Sequence, residues 1–195
     1  RLRSSQEQLS KGGYASGPVS FMRLYNFATE VTKLGGKRAG ANMAILRIDH
    51  PDIEEFIAAK TNPLELNTFN ISVAVTDAFM DQVRKGEKYD LINPRTRRVA
   101  RQLDAREVLD RIVQAAWRNG EPGVIFIDRI NRDNPTPELG LIESTNPCGE
   151  QPLLPYESCV LGSINLAKFH RDGAVDYERL KKVVALAVHF LDNVI

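Results

Sequence analysis

The chain has 195 residues, of which 43% are hydrophobic and 26% charged, and its 26 basic and 25 acidic residues leave a formal net charge of +1. This composition is typical of a globular protein and argues against a general nucleic-acid or membrane binder, so we expect no direct DNA binding and no membrane association. Two cysteines are too few for a secreted disulfide scaffold, which favours a reducing, cytoplasmic setting.

Both ends of the sequence predict an internal fragment of a longer protein. The first residues, 1–17, form a polar stretch without an initial Met. The last residues, "VVALAVHFLDNVI" at 183–195, stop inside an apolar helical pattern that no Gly, Asn or Pro ends.

The first half of the chain alternates helical and strand patterns. Its predicted elements are, in order, a helix over 18–34, a strand over 43–48, a helix within 49–60 capped by Asp49, a buried strand over 69–75, and a helix from Thr76 or Asp77 to Gly86. In the first helix, Phe21, Leu24, Ala28 and Val31 fall on one face, which predicts the side that packs.

The second half predicts two more helices, short strands and a long polar segment. In order, we expect a strand at 89–93, a basic exposed connection at 94–102, a helix from Asp104 to Gly120 with Trp117 in the core, a strand at 123–128, and regular structure again at 161–169 and 177–195. Residues 131–155 are too rich in Asn, Pro, Thr and Gly for regular structure, and a loop of this length is usually functional or disordered. Alternating strands and helices predict an α/β fold.

The segment "GGKRAGAN" at 35–42 is the first candidate site. Glycines allow a backbone to approach a ligand closely, and Lys37 and Arg38 can bind phosphate or stack on a base. The motif matches neither common phosphate-binding fingerprint, so the residues alone favour a basic surface turn.

The segment "NPCGE" at 146–150 is the second candidate. Cys148 lies between Pro147 and Gly149, Glu150 is near enough in sequence to accept a proton, and Asn146 can orient a hydroxyl. The alternative is a buried cysteine that acts as a small hydrophobic residue.

Neither cysteine has a histidine nearby in sequence, which argues against metal binding and a cysteine hydrolase. The scattered histidines, His50 among them, are interpreted as surface or capping residues. One-electron chemistry remains open, because a thiyl radical needs a neutral thiol, a radical generator and a dry site rather than a base. Cys159 is either a redox partner or the first apolar residue of a strand.

Five blocks of the sequence, spread over essentially the whole chain, resemble the catalytic subunit of ribonucleotide reductase: "GGKRAGANM", "HPDIEEFI", "FNISVAVTDAFM", "TNPCGEQPL" and "ESCVLGSINL". The sequence of these blocks, especially "NPCGEQPL", is most similar to that of the adenosylcobalamin-dependent (class II) branch. The resemblance implies a ten-stranded α/β barrel of two parallel five-stranded halves, with a finger loop through its centre. This chain would be the first half, with the tail of the first specificity loop at 1–13, the second specificity loop at 35–42 and the finger loop at 129–160.

The resemblance also implies roles for the residues of the finger loop. Cys148 would be the thiyl radical that removes the 3′ hydrogen of a ribonucleotide, and Glu150 would take the proton of the 3′ hydroxyl. Asn146 would hydrogen-bond the sugar hydroxyls, and Cys159 would be one of two cysteines that supply reducing equivalents. The family's other redox cysteine, second half-barrel and C-terminal cysteine pair are absent from this sequence, so we expect no turnover by this chain alone.

Binding residues follow from the same resemblance and are, in the specificity loop, Gly35, Gly36, Lys37, Arg38, Gly40 and Asn42, with Arg1 and Arg3 in the opening segment and Asn70 on a barrel strand. Asn70 would line the substrate pocket, or would simply be a strand residue satisfied by backbone.

The implied partners are a ribonucleotide di- or triphosphate, deoxynucleotide and ATP effectors, a thioredoxin-type reductant, a second copy of the full-length subunit, and adenosylcobalamin. Three alternatives stay open: a class I subunit served by a metal-containing radical subunit, a non-catalytic nucleotide-binding module with the same fold, and a thiol–disulfide oxidoreductase.

Overall fold

The computed structural model describes residues 2–32, 40–62 and 64–195, so the predicted site residues Arg1, Gly35, Gly36, Lys37 and Arg38 lie outside the described part. The described helices are α1 (Gly17–Val31), α2 (Ile53–Ala58), α3 (Asp77–Lys85), α4 (Ala105–Asn119), α5 (Ile127–Arg132) and α6 (Tyr177–Asp192). The strands are β1 (Asn42–Arg47), β2 (Phe69–Val75), β3 (Lys88–Ile92), β4 (Val99–Asp104), β5 (Gly123–Phe126), β6 (Ser144–Thr145), β7 (Pro152–Leu153), β8 (His170–Arg171) and β9 (Ala174–Val175). The chain divides into two compact units, residues up to Pro155 and residues from Tyr156 onward.

The main sheet of the first unit has three parallel strands in the order β1–β2–β5. The register pairs Asn42 with Phe69 on one side of β2 and Ser72 with Gly123 on the other. The predicted buried strand over 69–75 is confirmed to the residue, and every residue of β2 except Asn70 is buried. Burial of nearly every residue on both faces is typical of a central parallel strand.

The two faces of β2 have different roles because side chains alternate along a strand. Phe69, Ile71, Val73 and Val75 belong to the hydrophobic core, which α2, α3 and α4 complete with side chains such as Phe56, Phe79 and Ile112. The opposite face carries Asn70, Ser72 and Ala74, and it is the face on which the candidate site is built.

Local signals set the ends of α3 and α4 as predicted. Thr76 caps α3 by accepting a hydrogen bond from the Phe79 amide, and Asp104 caps α4 by accepting from two backbone amides. Gly86 and Gly120 follow these helices in the left-handed conformation that favours glycine. The Asp49 cap is wrong, because α2 begins at Ile53 and Asp49 instead accepts hydrogen bonds from Arg47.

The packing side of α1 is not the predicted one. Phe21, Leu24 and Val31 are 40%, 60% and 66% exposed, whereas Val19 and Met22 are buried. The helix is apolar around most of its circumference, and its Asn26 side is held inward by hydrogen bonds from Thr68.

Three further expectations are corrected. The connection at 94–102 is not irregular throughout, since β4 pairs with β3 as an antiparallel hairpin. Trp117 is 87% exposed rather than in the core, because it lies beyond the stripe of α4 that contains Val108 and Ile112. His50 is 8% exposed and is therefore not a surface residue, but its Nδ1 accepts a hydrogen bond from the Asp52 amide just before α2, which fits the capping alternative.

The predicted first half of a ten-stranded barrel is not confirmed by the described residues. Their main sheet has three parallel strands instead of five, and it is not closed. The mixed α/β content of the prediction is confirmed. The predicted finger loop at 129–160 begins inside α5 (Ile127–Arg132), and it contains a hairpin, β6–β7, with two residues in each strand.

The second unit consists of a short 3-10 helix at Leu166–Phe169, the β8–β9 hairpin and α6. Asp176 begins α6 by accepting a hydrogen bond from the Arg179 amide, 3.0 Å away. No strand forms over 161–169, where the 3-10 helix lies instead. None of the described helices is both long enough and apolar enough to cross a membrane.

Candidate functional site at the cysteine turn

Cys148 lies in the turn that joins β6 to β7, which we call the cysteine turn (residues 146–151). The Asn146 amide donates to the Gln151 carbonyl over 3.1 Å, and the Gly149 amide donates to the Asn146 carbonyl over 3.0 Å. The second of these bonds closes a four-residue turn over 146–149. Pro147 occupies the second position of this turn, where its fixed φ is favourable, and Gly149 at the fourth position has a φ of +83°. The sequence "NPCG" therefore folds locally into a tight turn with the cysteine near its tip.

The Asn146 side chain is part of the turn itself. Its Oδ1 accepts a hydrogen bond from the Gln151 amide at 3.0 Å, which closes the turn a second time. Because an asparagine side chain also carries an NH₂ group, that group is the part able to bind a substrate hydroxyl. The predicted contact of Asn146 with the sugar stays a prediction.

The Cys148 thiol is free and exposed, and Gly149 and Glu150 beside it are exposed as well. A thiol buried among hydrocarbon, which was the alternative interpretation, is not what the structure contains. A thiol and a carboxylate two residues apart at a turn could serve hydrogen-atom transfer and proton transfer on one small substrate. The described residues leave the thiol open, so they do not themselves enclose a dry site.

Asn70 connects the sheet to this turn. Its Nδ2 donates a 2.6 Å hydrogen bond to the carbonyl oxygen of Pro147, which is 77 residues away in sequence. Of the two interpretations of Asn70, satisfaction by backbone is therefore observed, but the partner is the cysteine turn rather than a neighbouring strand.

Lys60 and Glu121 hold the backbone on both sides of Asn70. Lys60 donates from Nζ to the carbonyl of Phe69, and Glu121 accepts at Oε2 from the amide of Ile71 at 3.1 Å. The two side chains also form an ion pair of 2.7 Å. Sequence reasoning missed both residues; the one available signal was a carboxylate immediately before Pro122 and a strand.

The end of the predicted specificity loop is anchored to α1. The Asn42 Nδ2 donates to the hydroxyls of Thr29 and Thr68, at 2.8 and 3.0 Å. A Cβ added at Gly40 would lie 3.2 Å from the Thr29 methyl carbon, so this position favours glycine through close packing. Asn42 is thus occupied with protein partners in this structure, and its role in reading a base remains a prediction.

The Arg3 side chain lies near a carboxylate of its own chain. Its Nε is 3.8 Å from Glu7 Oε1, and Glu7 also accepts hydrogen bonds from Arg95 and Asn93, which lower the pKa of the Glu7 carboxyl. A cavity of about 580 Å³ adjoins this cluster and is lined in part by Glu7, Asn93 and Arg101. The three residues of the cysteine turn assigned to chemistry do not line it.

Cys159 belongs to the second unit, and its thiol is also free and exposed. It does not begin a strand, since the residues around it have no regular structure. Its assignment as a redox cysteine stays a prediction.

Comparison with known proteins gives the family. The model of the ribonucleotide reductase barrel domain matches residues 1–195, and the chain therefore belongs to the ribonucleotide reductase family. It is 54% identical to a vitamin B12-dependent ribonucleoside-diphosphate reductase of Thermoplasma acidophilum, over 100% of this chain and 26% of that protein. A protein of the same name from Mycobacterium tuberculosis is 55% identical over 95% of this chain and 27% of the relative. A vitamin B12-dependent ribonucleotide reductase of Streptomyces coelicolor is 38% identical over 98% of this chain and 23% of the relative. The chain thus spans about a quarter of the length of these relatives.

Proposed function

We propose that this chain forms part of an adenosylcobalamin-dependent reductase that converts ribonucleotides to 2′-deoxyribonucleotides. The observation that carries the proposal is the free, exposed Cys148 at the tip of a tight turn, with Asn146 and Glu150 on either side. The names of the relatives favour vitamin B12 as the source of the radical, and two of those names favour a diphosphate substrate.

The residues of the turn divide the reaction between them. The cofactor, when bound, supplies the one-electron chemistry that turns the Cys148 thiol into a thiyl radical; a free thiol without a disulfide partner fits this requirement. The Cys148 sulfur then takes the hydrogen atom from C3′ of the ribose, and Glu150 accepts the proton of the 3′ hydroxyl. The 2′ hydroxyl leaves as water with one added proton.

Two thiols complete the balance of the reaction. Cys159 and a second cysteine outside this sequence give two electrons and two protons and end as a disulfide. One of these protons makes up the departing water, and the other, with the two electrons, replaces the lost C–O bond by C–H. Cys148 finally returns its hydrogen atom to C3′, and Glu150 returns its proton to the 3′ oxygen, which restores the 3′ hydroxyl. A thioredoxin-type protein would reduce the disulfide.

The remaining walls of the site are proposed to come from a longer polypeptide, in which the three-stranded sheet is part of a ten-stranded barrel. Two observations support this: the relatives are about four times as long as the chain, and Cys148 is open to solvent within it. We therefore expect this chain alone not to turn over ribonucleotides.

A second copy of the full-length reductase and deoxynucleotide or ATP effectors are proposed to meet at α1. This helix exposes the large apolar side chains of Phe21, Leu24, Tyr25 and Val31. Its other side holds Asn42, at the end of the specificity loop, through Thr29. Effector binding and base selection would then be linked through one helix. Two exposed free thiols favour a reducing, cytoplasmic location.

The test uses the full-length reductase that carries this sequence, assayed with adenosylcobalamin, ribonucleotide and a dithiol. Cys148→Ser should abolish turnover, because serine cannot form the radical, and Glu150→Gln should lower kcat by ~10²–10⁴-fold, the usual range for general base catalysis. Both variants should bind effector nucleotide as the unaltered enzyme does. Retained turnover in Cys148→Ser would refute the proposal, and a parent protein that binds nucleotides without reducing them would be the non-catalytic module instead.

A further inference from the structure

Asn70 interrupts an otherwise buried strand. It lies on the face of β2 that looks away from the core, together with Ser72 and Ala74, which are 7% and 1% exposed. An exposed asparagine in a central strand adds nothing to strand stability, since asparagine is unfavourable in sheets. Strand stability therefore does not explain why an asparagine occupies this position.

The hydrogen-bond partner of Asn70 supplies that reason. The Pro147 carbonyl that accepts from Asn70 Nδ2 at 2.6 Å belongs to the peptide unit whose nitrogen is that of Cys148. Because this unit is planar and rigid, fixing the carbonyl oxygen also fixes the direction in which the chain enters Cys148. Asn70 thus acts on the placement of the thiol without touching it.

Hydrogen bonds inside the turn do not fix its position relative to the sheet. Those of Asn146, Gly149 and Gln151 set the shape of the turn, but they join turn residues only to one another. The hairpin also packs on the sheet through β6 and β1, and the Asn70–Pro147 hydrogen bond adds a contact from β2 directly to the residue before Cys148.

The backbone of Asn70 is itself held from both sides. Pairing of β2 with β5 begins only at Ser72, so the carbonyl of Phe69 and the amide of Ile71 have no partner strand on that side. Lys60 binds the carbonyl and Glu121 binds the amide. The two side chains are 17% and 22% exposed, so this ion pair is largely shielded from water.

We propose that Asn70 is the positioning residue for Cys148 in the reductase, and that the Lys60–Glu121 pair fixes Asn70. This inference rests on the proposed function of Cys148. It assigns to Asn70 a role on the protein turn, in place of the substrate contact that the strand position suggested.

The test variant is Asn70→Asp in the full-length reductase. Aspartate keeps the size of the side chain but replaces the donor by a carboxylate that faces the Pro147 carbonyl. A misplacement of the thiol should lower kcat by ~10–100-fold, the size of effect expected for a displacement of about 1 Å, while the substrate KM stays within about twofold. Amide hydrogen exchange should become faster in a peptide covering 144–154 and stay unchanged in β1 and β5.

Asn67→Asp is the matched control. Asn67 is also exposed, lies three residues earlier and donates from Nδ2 to a backbone carbonyl, that of Leu64, at 3.4 Å. This variant should keep the kcat and the exchange pattern of the unaltered enzyme. Asn70→Gln, which retains an NH₂ donor on a longer side chain, should recover part of the kcat lost in Asn70→Asp.

Three results for Asn70→Asp would overturn the inference. A raised KM with an unchanged kcat would show that Asn70 contacts the substrate. Unchanged kinetics and unchanged amide hydrogen exchange would show that Asn70 does not position the turn, and faster exchange throughout the sheet would show that it only stabilises the fold. Cys148→Ser separates these failures from failure of the proposed function. If Cys148→Ser is inactive and Asn70→Asp is normal, only the positioning role is wrong, whereas an active Cys148→Ser enzyme refutes the radical role itself.

Discussion

The exposure of Cys148 depends on the residues next to it. Pro147 and Gly149 confine the backbone to a tight turn, and Asn146 closes that turn through both its backbone and its side chain. These are local effects, so the sequence indicates a loop that holds the cysteine near a carboxylate, although it leaves a buried thiol open as the alternative. Lys60 and Glu121 could not be found in this way, because their ion pair joins residues 61 positions apart and Glu121 binds the Ile71 amide across 50 positions. Local patterns carry no information about such pairs.

His50 gives a residue-scale prediction about pH. Burial lowers its pKa below the ordinary value of 6.5, and its Nδ1 accepts a hydrogen bond from the Asp52 amide at 3.1 Å, which requires the neutral ring on that side. The unfolded chain takes up the proton at a higher pH than the folded chain does. The contribution of His50 to the free energy of unfolding should therefore not change with pH above about pH 7.5. As the pH drops through 6.5 toward 5, protonation of His50 in the unfolded chain should lower the free energy of unfolding.

Chemical unfolding of the 195-residue chain at a series of pH values measures this effect. His50→Asn places a non-titrating oxygen near the position of Nδ1, so this variant should show a shallower loss of stability between pH 7.5 and 5. Equal slopes for the two proteins would show that His50 does not contribute.

At the level of elements, the caps of α3 and α4 are predictable from the sequence, whereas the cap of α2 and the packing of α1 are not. Thr76, Asp104, Gly86 and Gly120 act on neighbouring backbone groups, so their effect can be read from a short stretch of sequence. The buried side of α1 includes Asn26, which accepts hydrogen bonds from Thr68, a residue distant in sequence. The β4 strand was missed for a related reason: residues 99–102 are exposed, so they lack the apolar alternation that marks a half-buried strand.

The exposed side of α1 makes a prediction about assembly of the full-length reductase. Leu24, 60% exposed here, would lie in the proposed interface, where an introduced charge would be buried without a partner. Leu24→Glu should weaken the dimer by about 3 kcal/mol or more, roughly a hundredfold in the dissociation constant. Analytical ultracentrifugation over a range of concentrations measures this change.

Val113→Glu is the control for this prediction. Val113 is an exposed apolar residue of similar accessibility, 57%, on α4 rather than α1. The control should remain as dimeric as the unaltered protein. An undisturbed dimer in Leu24→Glu, or equal weakening by both variants, would place the interface elsewhere.

At the scale of the whole molecule, the α/β class followed from the order of patterns, but the extent of the sheet did not. Within the described residues, β1 and β5 each have a strand on one side only, and Phe126 on β5 is 47% exposed. Open sheet edges and exposed aromatic side chains are normally covered in a native protein. This arrangement fits a sheet that other parts of a longer reductase extend, which a pattern within this sequence alone could not reveal.

If the sulfur of Cys148 carries the radical, electron paramagnetic resonance of the full-length reductase should detect that radical. The unaltered enzyme is mixed with adenosylcobalamin and effector, frozen within milliseconds, and compared with enzyme whose cysteines carry deuterium at Cβ. A thiyl radical couples to its own Cβ hydrogens, so deuteration should narrow the signal. The signal should persist in Cys159→Ser and disappear in Cys148→Ser. A signal of unchanged width after deuteration, or a signal that remains in Cys148→Ser, would show that the radical is not on the sulfur of Cys148.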